Sequence, residues 1–126
     1  MNTIYMYINF NYINYINFLT ILFIMSQLNN ISWYKLINTK DLVLGKCKIQ
    51  SKGYLFKHKH KIPEYYYILS GDGFMRLGNS YQLLVKDNFI KIPKNTYHFT
   101  INPFNSDLEF LYIFTKGPFN KIKYYS

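Results

Sequence analysis

The three histidines of this chain and one nearby glutamate could together hold a metal ion. His58 and His60 are two residues apart in a run that is predicted to be a strand, so both imidazoles project from the same face. Glu64 follows after one tight turn, close enough for its carboxylate to approach the same space, and His98 adds a third imidazole from a distant run. Imidazoles and a carboxylate are suitable ligands for a divalent first-row transition metal. The spacing therefore predicts a metal site.

The lysines that alternate with the first two histidines are predicted to face the other way. Lys57, Lys59 and Lys61 occupy the opposite face of the same strand. A charged lysine costs more to bury than an imidazole. We therefore expect the lysines to face solvent and the histidines to face the interior.

Tyr66 is the candidate catalytic residue. It shares the face of Glu64, because alternate side chains of a strand point the same way. A phenol beside a Lewis-acidic ion could act as a general acid or base, since the cation favours the phenolate. The alternative is a core tyrosine whose hydroxyl bonds to the backbone.

Two further polar side chains are candidates for substrate binding. Arg76 could clamp a carboxylate or phosphate through two parallel hydrogen bonds, or it could be a solvated arginine on a strand. Asn102 shares the face of His98 and is expected to orient a turn or a ligand rather than to react. Cys47, the only cysteine, is expected to be a small inward-facing hydrophobic residue, and it excludes both an intrachain disulfide and a cysteine-rich zinc module.

The part of the chain that begins near residue 32 consists of short alternating apolar runs separated by turn residues. No strong helical period occurs among them, so the pattern predicts an all-β fold: an antiparallel sandwich or small barrel, with a jelly roll fitting the number of strands. The predicted strands are Leu42–Ile49, Tyr54–His60, Glu64–Leu69, Phe74–Leu77, Tyr81–Val85, Asn88–Ile92, Tyr97–Ile101 and Leu108–Thr115.

The N-terminal segment has a different character. No charged side chain precedes Lys35, and the triplet Tyr-Ile-Asn recurs within residues 7–17. The apolar run Phe18–Met25 is as long as the core of a signal peptide but shorter than the ~20 residues that span a bilayer. Three interpretations remain open: low-complexity translation upstream of a working start at Met25, a membrane or targeting segment, or an ordered part of the fold. We divide the chain into a low-complexity or targeting extension, 1–31, and a single domain, 32–126.

The strong positive charge is poor evidence for a nucleic-acid partner. The net charge is +9, from 15 Lys and Arg against 6 Asp and Glu, and Arg76 is the only arginine. Abundant Lys, Ile, Asn and Tyr without any alanine are typical of an A/T-rich coding sequence. Nucleic-acid surfaces usually also show arginine forks or a clustered basic stripe. We expect no nucleic-acid partner, and a membrane partner only if the N-terminal stretch is an anchor.

Two segments of the chain resemble the conserved motifs of the cupins. The first is Gly53, four residues, His58-Lys59-His60, three residues, Glu64, six residues, Gly71; the second is Asp87, five residues, Pro93-Lys94-Asn95, two residues, His98, three residues, Asn102. Fifteen residues separate the two, as in compact cupins, and the resemblance covers about residues 42–115. It implies a double-stranded β-helix, or jelly-roll barrel, of the small RmlC-like kind.

The sequence departs from the common cupin pattern in three ways. Gly53 stands one residue nearer the first histidine than in the common pattern, and Asp87 and Asn95 stand where the family usually has glycine. Both are turn formers, and Asn in particular tolerates a positive φ, so the bends remain feasible.

The resemblance implies that His58, His60, Glu64 and His98 bind one metal inside the barrel, with positions left for substrate or water. Fe(II), Mn(II), Ni(II), Zn(II) and Cu(II) all tolerate such ligands. It also implies a homodimer. The predicted function is that of a metal-dependent enzyme on a small carboxylate or oxygen-rich substrate, with lyase, dioxygenase and isomerase chemistry all open. The alternative is a cupin that binds a metal or ligand without catalysis.

A narrower likeness is to the cupins that cleave dimethylsulfoniopropionate. They carry a similar arrangement of His-x-His, three residues and Glu-x-Tyr, which is matched here by His58, His60, Glu64 and Tyr66. They also have an upstream tryptophan, matched by Trp33, and a tyrosine near the C-terminus, matched by Tyr124 or Tyr125. This likeness implies a β-eliminating lyase, in which the metal holds the substrate carboxylate and a tyrosine removes the α-proton. For location we expect the cytoplasm, with which a free thiol agrees, or a targeted or membrane-associated protein if residues 1–25 are functional.

Overall fold

The computed structural model describes residues 30–126, so most of the predicted extension, 1–29, lies outside the described residues. Within residues 30–126 there are ten strands and one short 3₁₀ helix (Phe119–Lys121). The strands are β1 (Ile31–Asn38), β2 (Val43–Ile49), β3 (Tyr54–His60), β4 (Glu64–Ser70), β5 (Gly73–Leu77), β6 (Ser80–Leu84), β7 (Phe89–Ile92), β8 (His98–Ile101), β9 (Leu108–Phe114) and β10 (Tyr124–Tyr125).

The strands form two antiparallel sheets of five strands each. The first sheet has the order β1-β2-β9-β4-β7 and the second has the order β10-β3-β8-β5-β6. Consecutive strands alternate between the sheets over much of the chain, as in a jelly roll. The all-β prediction is confirmed, and each of the eight predicted strands is present with its ends shifted by at most one residue.

Two strands are missing from the sequence-based prediction. Along β1 only Ile31 is fully buried, whereas Tyr34, Leu36 and Ile37 are exposed, so apolar and polar residues do not alternate as they would on a strand with one buried face. β10 is two residues long, which is too short for any period to show. Both strands lie at the edge of their sheets.

A β-bulge in β3 sets the direction of the histidines. The pairing of β3 with β8 shifts between Leu55 and His58, and the neighbouring residues Leu55 and Phe56 are both buried. Alternation then resumes, with His58 and His60 buried and Lys57 exposed. The predicted division of this strand between inward histidines and outward lysines is confirmed.

Left-handed backbone occurs in the turns before β3, β7 and β8. Asp87 and Asn95, which replace the glycines of the cupin pattern, have φ values of 70° and 57°. The common glycine position six residues before the first histidine is occupied by Lys52, and it has a φ of 68°. Its ammonium group donates to Pro103 O at 2.6 Å, and its amide donates to Asn102 O at 2.8 Å. The three bends of the motif are therefore kept without glycine.

Gly45 is required by the close approach of an aromatic ring. Gly45 on β2 pairs directly with Tyr112 on β9. A Cβ atom at residue 45 would lie 2.0 Å from Cζ of Tyr112 and 2.2 Å from its hydroxyl oxygen. The bare glycine backbone thus makes room for the tyrosine ring on the inner face of the sheet.

We expect Gly45→Ala to lower the free energy of unfolding by about 1–3 kcal/mol, because the methyl group forces the Tyr112 ring out of its place. Urea denaturation measures the change. In a Tyr112→Leu background the same substitution should cost clearly less, because the clashing ring atoms are gone. An equal cost in both backgrounds would contradict the assigned contact.

The second prediction concerns the turn before His98. Asn95→Ala should lower the free energy of unfolding by about 1 kcal/mol, because alanine tolerates left-handed backbone less well than asparagine, while Asn95→Gly should not. Asn105→Ala, at an exposed residue without a positive φ, is the matched control for loss of an asparagine side chain. If alanine and glycine at residue 95 behaved alike in urea denaturation, backbone strain would not be the cause.

Candidate metal centre

Three buried imidazoles of the second sheet meet one carboxylate of the first. His58 and His60 come from β3, and His98 comes from the neighbouring β8, where it pairs directly with His58. Glu64 is the first residue of β4 and reaches the imidazoles from the opposite sheet. The histidines are each 1% exposed and Glu64 is 5% exposed. The structure therefore brings together the four residues that the spacing predicts.

Each imidazole is held by a backbone carbonyl two residues away. The Nδ1 atom of His58 lies 2.8 Å from Phe56 O, that of His60 lies 2.6 Å from Ile62 O, and that of His98 lies 2.9 Å from Thr96 O. A carbonyl can only accept, so Nδ1–H is the donor in each pair. Such bonds fix both the tautomer and the orientation of a metal-binding histidine. In a neutral ring that donates through Nδ1, the lone pair that can bind a metal is on Nε2.

The ligand atoms have the spacing of donors around one ion. Oε1 of Glu64 lies 3.1 Å from Nε2 of His60 and 3.4 Å from Nε2 of His98. One ligand atom from each of the four residues lies within 4.8 Å of the other three. Donors that bind an ion at about 2.0–2.2 Å lie roughly 3–3.5 Å from their neighbours around it. Small side-chain shifts would suffice for the cluster to bind a metal.

The charge balance of the cluster also favours a cation. Burial lowers the pKa of His58 well below its ordinary value, and the neighbouring His98 and His60 lower it further, so this imidazole is neutral at pH 7. Burial alone would raise the pKa of Glu64, but the neighbouring imidazoles of His60 and His98 outweigh it and leave this pKa below its usual value. The site therefore holds a buried carboxylate next to imidazoles.

An orphaned nitrogen tests the fit of a metal to these residues. Among residues 30–126, Nε2 of His98 is buried without a well-aligned hydrogen-bond partner. A neutral imidazole that donates through Nδ1 points an Nε2 lone pair at the carboxylate oxygen, and two lone pairs repel each other unless a cation or a proton lies between them. The residues present thus fit a divalent ion.

A small cavity adjoins these ligands. Its volume is about 30 Å³, which accommodates an ion with one or two waters. The cavity has mostly aromatic and apolar walls, so charge inside it is only weakly screened. Its lining residues are Trp33, Cys47, Leu55, His58, Glu64, Tyr66, Phe110, Tyr112, Phe119 and Tyr124.

Tyr66 lies inside this cavity and is 1% exposed. Its ring stacks on Phe110 with the centroids 4.1 Å apart, and its hydroxyl lies beside Thr100. Burial, together with the negative charge of Glu64, raises the pKa of Tyr66 well above its ordinary value. Without a bound cation the phenol is therefore protonated at neutral pH.

Tyr124 and Trp33 also line the cavity, although the spacing of the ligand residues does not predict them. The ring of Tyr124 lies 4.9 Å from that of His58 and 5.1 Å from that of His60, centroid to centroid. Burial and the charge of Glu64 raise the pKa of Tyr124 well above its ordinary value. Only the likeness to the dimethylsulfoniopropionate-cleaving cupins pointed to these two residues. They come from β1 and β10, the strands that the sequence does not reveal.

The two predicted substrate residues lie elsewhere. Arg76 is exposed on the outer face of the second sheet, opposite in direction to the buried Met75. Asn102 is fully buried, and its amide group donates to Ile49 O and Ser106 O while its Oδ1 accepts from the amide of Phe104. Asn102 thus orients a turn, which is one of the roles expected for it.

Cys47 lies inward, as predicted. It is buried in the core, and burial together with the charge of Glu64 raises the pKa of its thiol. A thiol of this kind is a small apolar side chain rather than a nucleophile.

Comparison with solved structures shows that the fold is the double-stranded β-helix of the cupins. One similar structure is an uncharacterized conserved protein with a double-stranded β-helix domain from Klebsiella pneumoniae, with a TM-score of 0.67 and 13% identity over 76% of this chain and 84% of that chain. A predicted oxalate decarboxylase from Thermotoga maritima has a TM-score of 0.65 and 22% identity over 69% of this chain and 81% of that chain. The prediction of a cupin fold is confirmed.

The DMSP lyase DddQ from Ruegeria pomeroyi is also similar, with a TM-score of 0.66 and 19% identity over 75% of this chain and 50% of that chain. At these identities the likeness concerns the fold. No family model matches the chain, and no curated protein matches it. Among residues 30–126, no helix has the length and apolar character needed to cross a membrane.

Proposed function

We propose that this domain is a mononuclear metalloprotein whose ion is held by His58, His60, Glu64 and His98. The observation that carries the proposal is the fixing of all three imidazoles by backbone carbonyls, with Nε2 of His60 and His98 turned toward the carboxylate of Glu64. A structural histidine needs one hydrogen bond, whereas a ligand histidine needs a fixed tautomer and a clear second nitrogen. The ligand set suits Fe(II), Mn(II), Ni(II), Zn(II) or Cu(II).

We further propose that the domain is an enzyme for a small carboxylate or oxygen-rich substrate. An ion bound here would act as a Lewis acid on a coordinated substrate oxygen. The small cavity of about 30 Å³ supports a small substrate. Its aromatic walls keep bulk water from the reacting atoms.

In this proposal Tyr66 handles a proton beside the substrate. The hydroxyl is protonated in the absence of a cation, because burial and Glu64 raise its pKa. It can therefore donate a proton to a leaving group or to a developing negative charge. A nearby positive charge would lower this pKa and allow the same group to accept a proton.

A β-eliminating lyase is the second candidate, and the position of Tyr124 favours it. Elimination needs a base that takes the α-proton, after which the electron pair forms the double bond and the β-substituent departs. Two tyrosines, Tyr66 and Tyr124, line the cavity beside the ligands, one from each sheet. This arrangement supplies one group to take a proton and a second to orient the substrate carboxylate.

Elemental analysis of purified full-length protein tests the metal assignment. We expect about one transition-metal ion per chain in the wild type and a loss of at least nine-tenths of it in the His58→Ala/His98→Ala double variant, because half of the protein ligands are removed. The matched control is Lys57→Ala/Lys59→Ala, which alters the outward residues of the same strand and should retain the metal. Circular dichroism checks that each variant folds.

Two outcomes would contradict this assignment. If the double variant kept its metal, the ion would be bound elsewhere. If the folded wild type took up no stoichiometric metal even after supplementation with each of the five ions, the domain would not be a metalloprotein.

Tyr66→Phe tests the catalytic proposal. With dimethylsulfoniopropionate as the first trial substrate, followed by small carboxylates, we expect the metal-loaded wild type to turn over and the variant to lose about 10²–10⁴-fold in kcat with its metal content unchanged. Tyr65→Phe, on the outward face of the same strand, is the matched control. Metal without turnover in any trial would favour the non-catalytic binding protein, and equal turnover in Tyr66→Phe would exclude the proposed role of its hydroxyl.

A further inference from the structure

The outer face of the second sheet carries a second pocket, whose lining shares one buried residue, His98, with the metal centre. Its volume is about 320 Å³, which is in the range of small-molecule sites. The walls come from β3, β5 and β8 and from the turns before β6 and β8. The lining residues are Lys57, Arg76, Gly78, Asn79, Asn95, Thr96, Tyr97, His98 and Phe99, and none of them is acidic.

Two ammonium groups share one aromatic ring beside this pocket. Nζ of Lys57 lies 4.8 Å from the ring centroid of Tyr97, and Nζ of Lys59 lies 4.7 Å from it. The ion pairs formed by the lysines of residues 30–126 involve Lys46 and Lys48 on the other sheet, not these two. Two like charges beside one ring repel each other. A bound anion would relieve this repulsion.

Arg76 provides a third cation at the opposite wall. It pairs across the sheet with Phe99, its Nε–H donates to Gly78 O at 3.2 Å, and its guanidinium lies 5.6 Å from the ring centroid of Tyr81. The turn that carries Gly78 is itself tied to the turn before β8 by the bond from its amide to Tyr97 O at 2.8 Å. These contacts place the guanidinium at the rim. A guanidinium binds phosphate through two parallel hydrogen bonds.

We propose that this pocket binds an organic phosphate. The phosphate group lies between Lys57 and Arg76, and a flat organic part packs against the rings of Tyr97 and Phe99. The hydroxyl of Thr96 and the amides of Asn79 and Asn95 lie in the same pocket and can bind polar groups of the ligand. The site uses exposed cations and half-buried rings on the outside of the sheet, and the one metal ligand in its lining, His98, is buried with its Nδ1 held by Thr96 O.

The charge and the size of the pocket together define this ligand class. Attraction to the net charge of +9 alone would act over the whole surface and would need no cavity. A cavity alone would not select an anion. The combination of three cations, two rings and a volume of about 320 Å³ favours a ligand of roughly nucleotide size with one or more phosphates.

Isothermal titration calorimetry on the full-length protein at fixed ionic strength tests the proposal, with AMP and inorganic phosphate as the two probes. We expect AMP to bind more tightly than inorganic phosphate, because only AMP can use the rings. Lys57→Gln and Arg76→Gln should each weaken AMP binding about tenfold, which is the value of one charge-assisted hydrogen bond. Lys91→Gln, on the outer face of the other sheet, removes the same charge and should leave the affinity unchanged within twofold.

Three results would overturn the proposal. The first is no AMP binding at millimolar concentration. The second is a loss of AMP affinity in Lys91→Gln as large as in Lys57→Gln and Arg76→Gln. The third is binding of a single-stranded oligonucleotide more tightly than AMP, with several nucleotides covered per chain. Metal content is measured on the same samples. A protein that binds AMP but no metal would refute only the metal assignment, and a protein that binds metal but no AMP would refute only this pocket.

Discussion

The structure of the buried site depends on three hydrogen bonds from imidazole to backbone. Carbonyls at Phe56, Ile62 and Thr96 each receive an Nδ1–H, so the orientation of every ring is set by the local path of its own strand or turn. Side-chain partners could rotate away, whereas backbone carbonyls of strands and tight turns cannot. The β-bulge of β3 and the turn before β8 therefore matter to the site as much as the histidines themselves.

The fold keeps three of its turns although their residues are not the glycines that cupins commonly have there. Lys52, Asp87 and Asn95 all adopt left-handed backbone where cupins commonly use glycine. The side chains of Lys52 and Asp87 are tethered, through a bond to Pro103 O and a bond from the Tyr67 hydroxyl, and the amide of Asn95 donates to His60 O. The local strain at each bend is offset by such contacts. The bend before His98 is thus tied directly to the strand that carries His60.

Much of the fold and the ligand cluster could be predicted from sequence, because both depend on period-two alternation and short turns. The alternation of His58 and His60 with lysines is enough to predict which face of β3 points toward the interior. The direction of Arg76 could not be predicted, because its neighbours Phe74 and Met75 are both apolar and only one of them is buried. The residue pattern does not predict that Trp33 and Tyr124 line the cavity, because they lie on edge strands. β1 is mostly exposed and β10 is only two residues long, so neither shows a period of two.

The division of the ligands between the sheets has a mechanical consequence. Three donors belong to one layer of the sandwich and a single carboxylate belongs to the other, and only a three-residue connection, 61–63, joins β3 to β4. An ion bound by all four ligands would link the two sheets. Occupancy of the centre would then be coupled to the rigidity of the whole sandwich, so that filling it would stiffen strands far from any ligand.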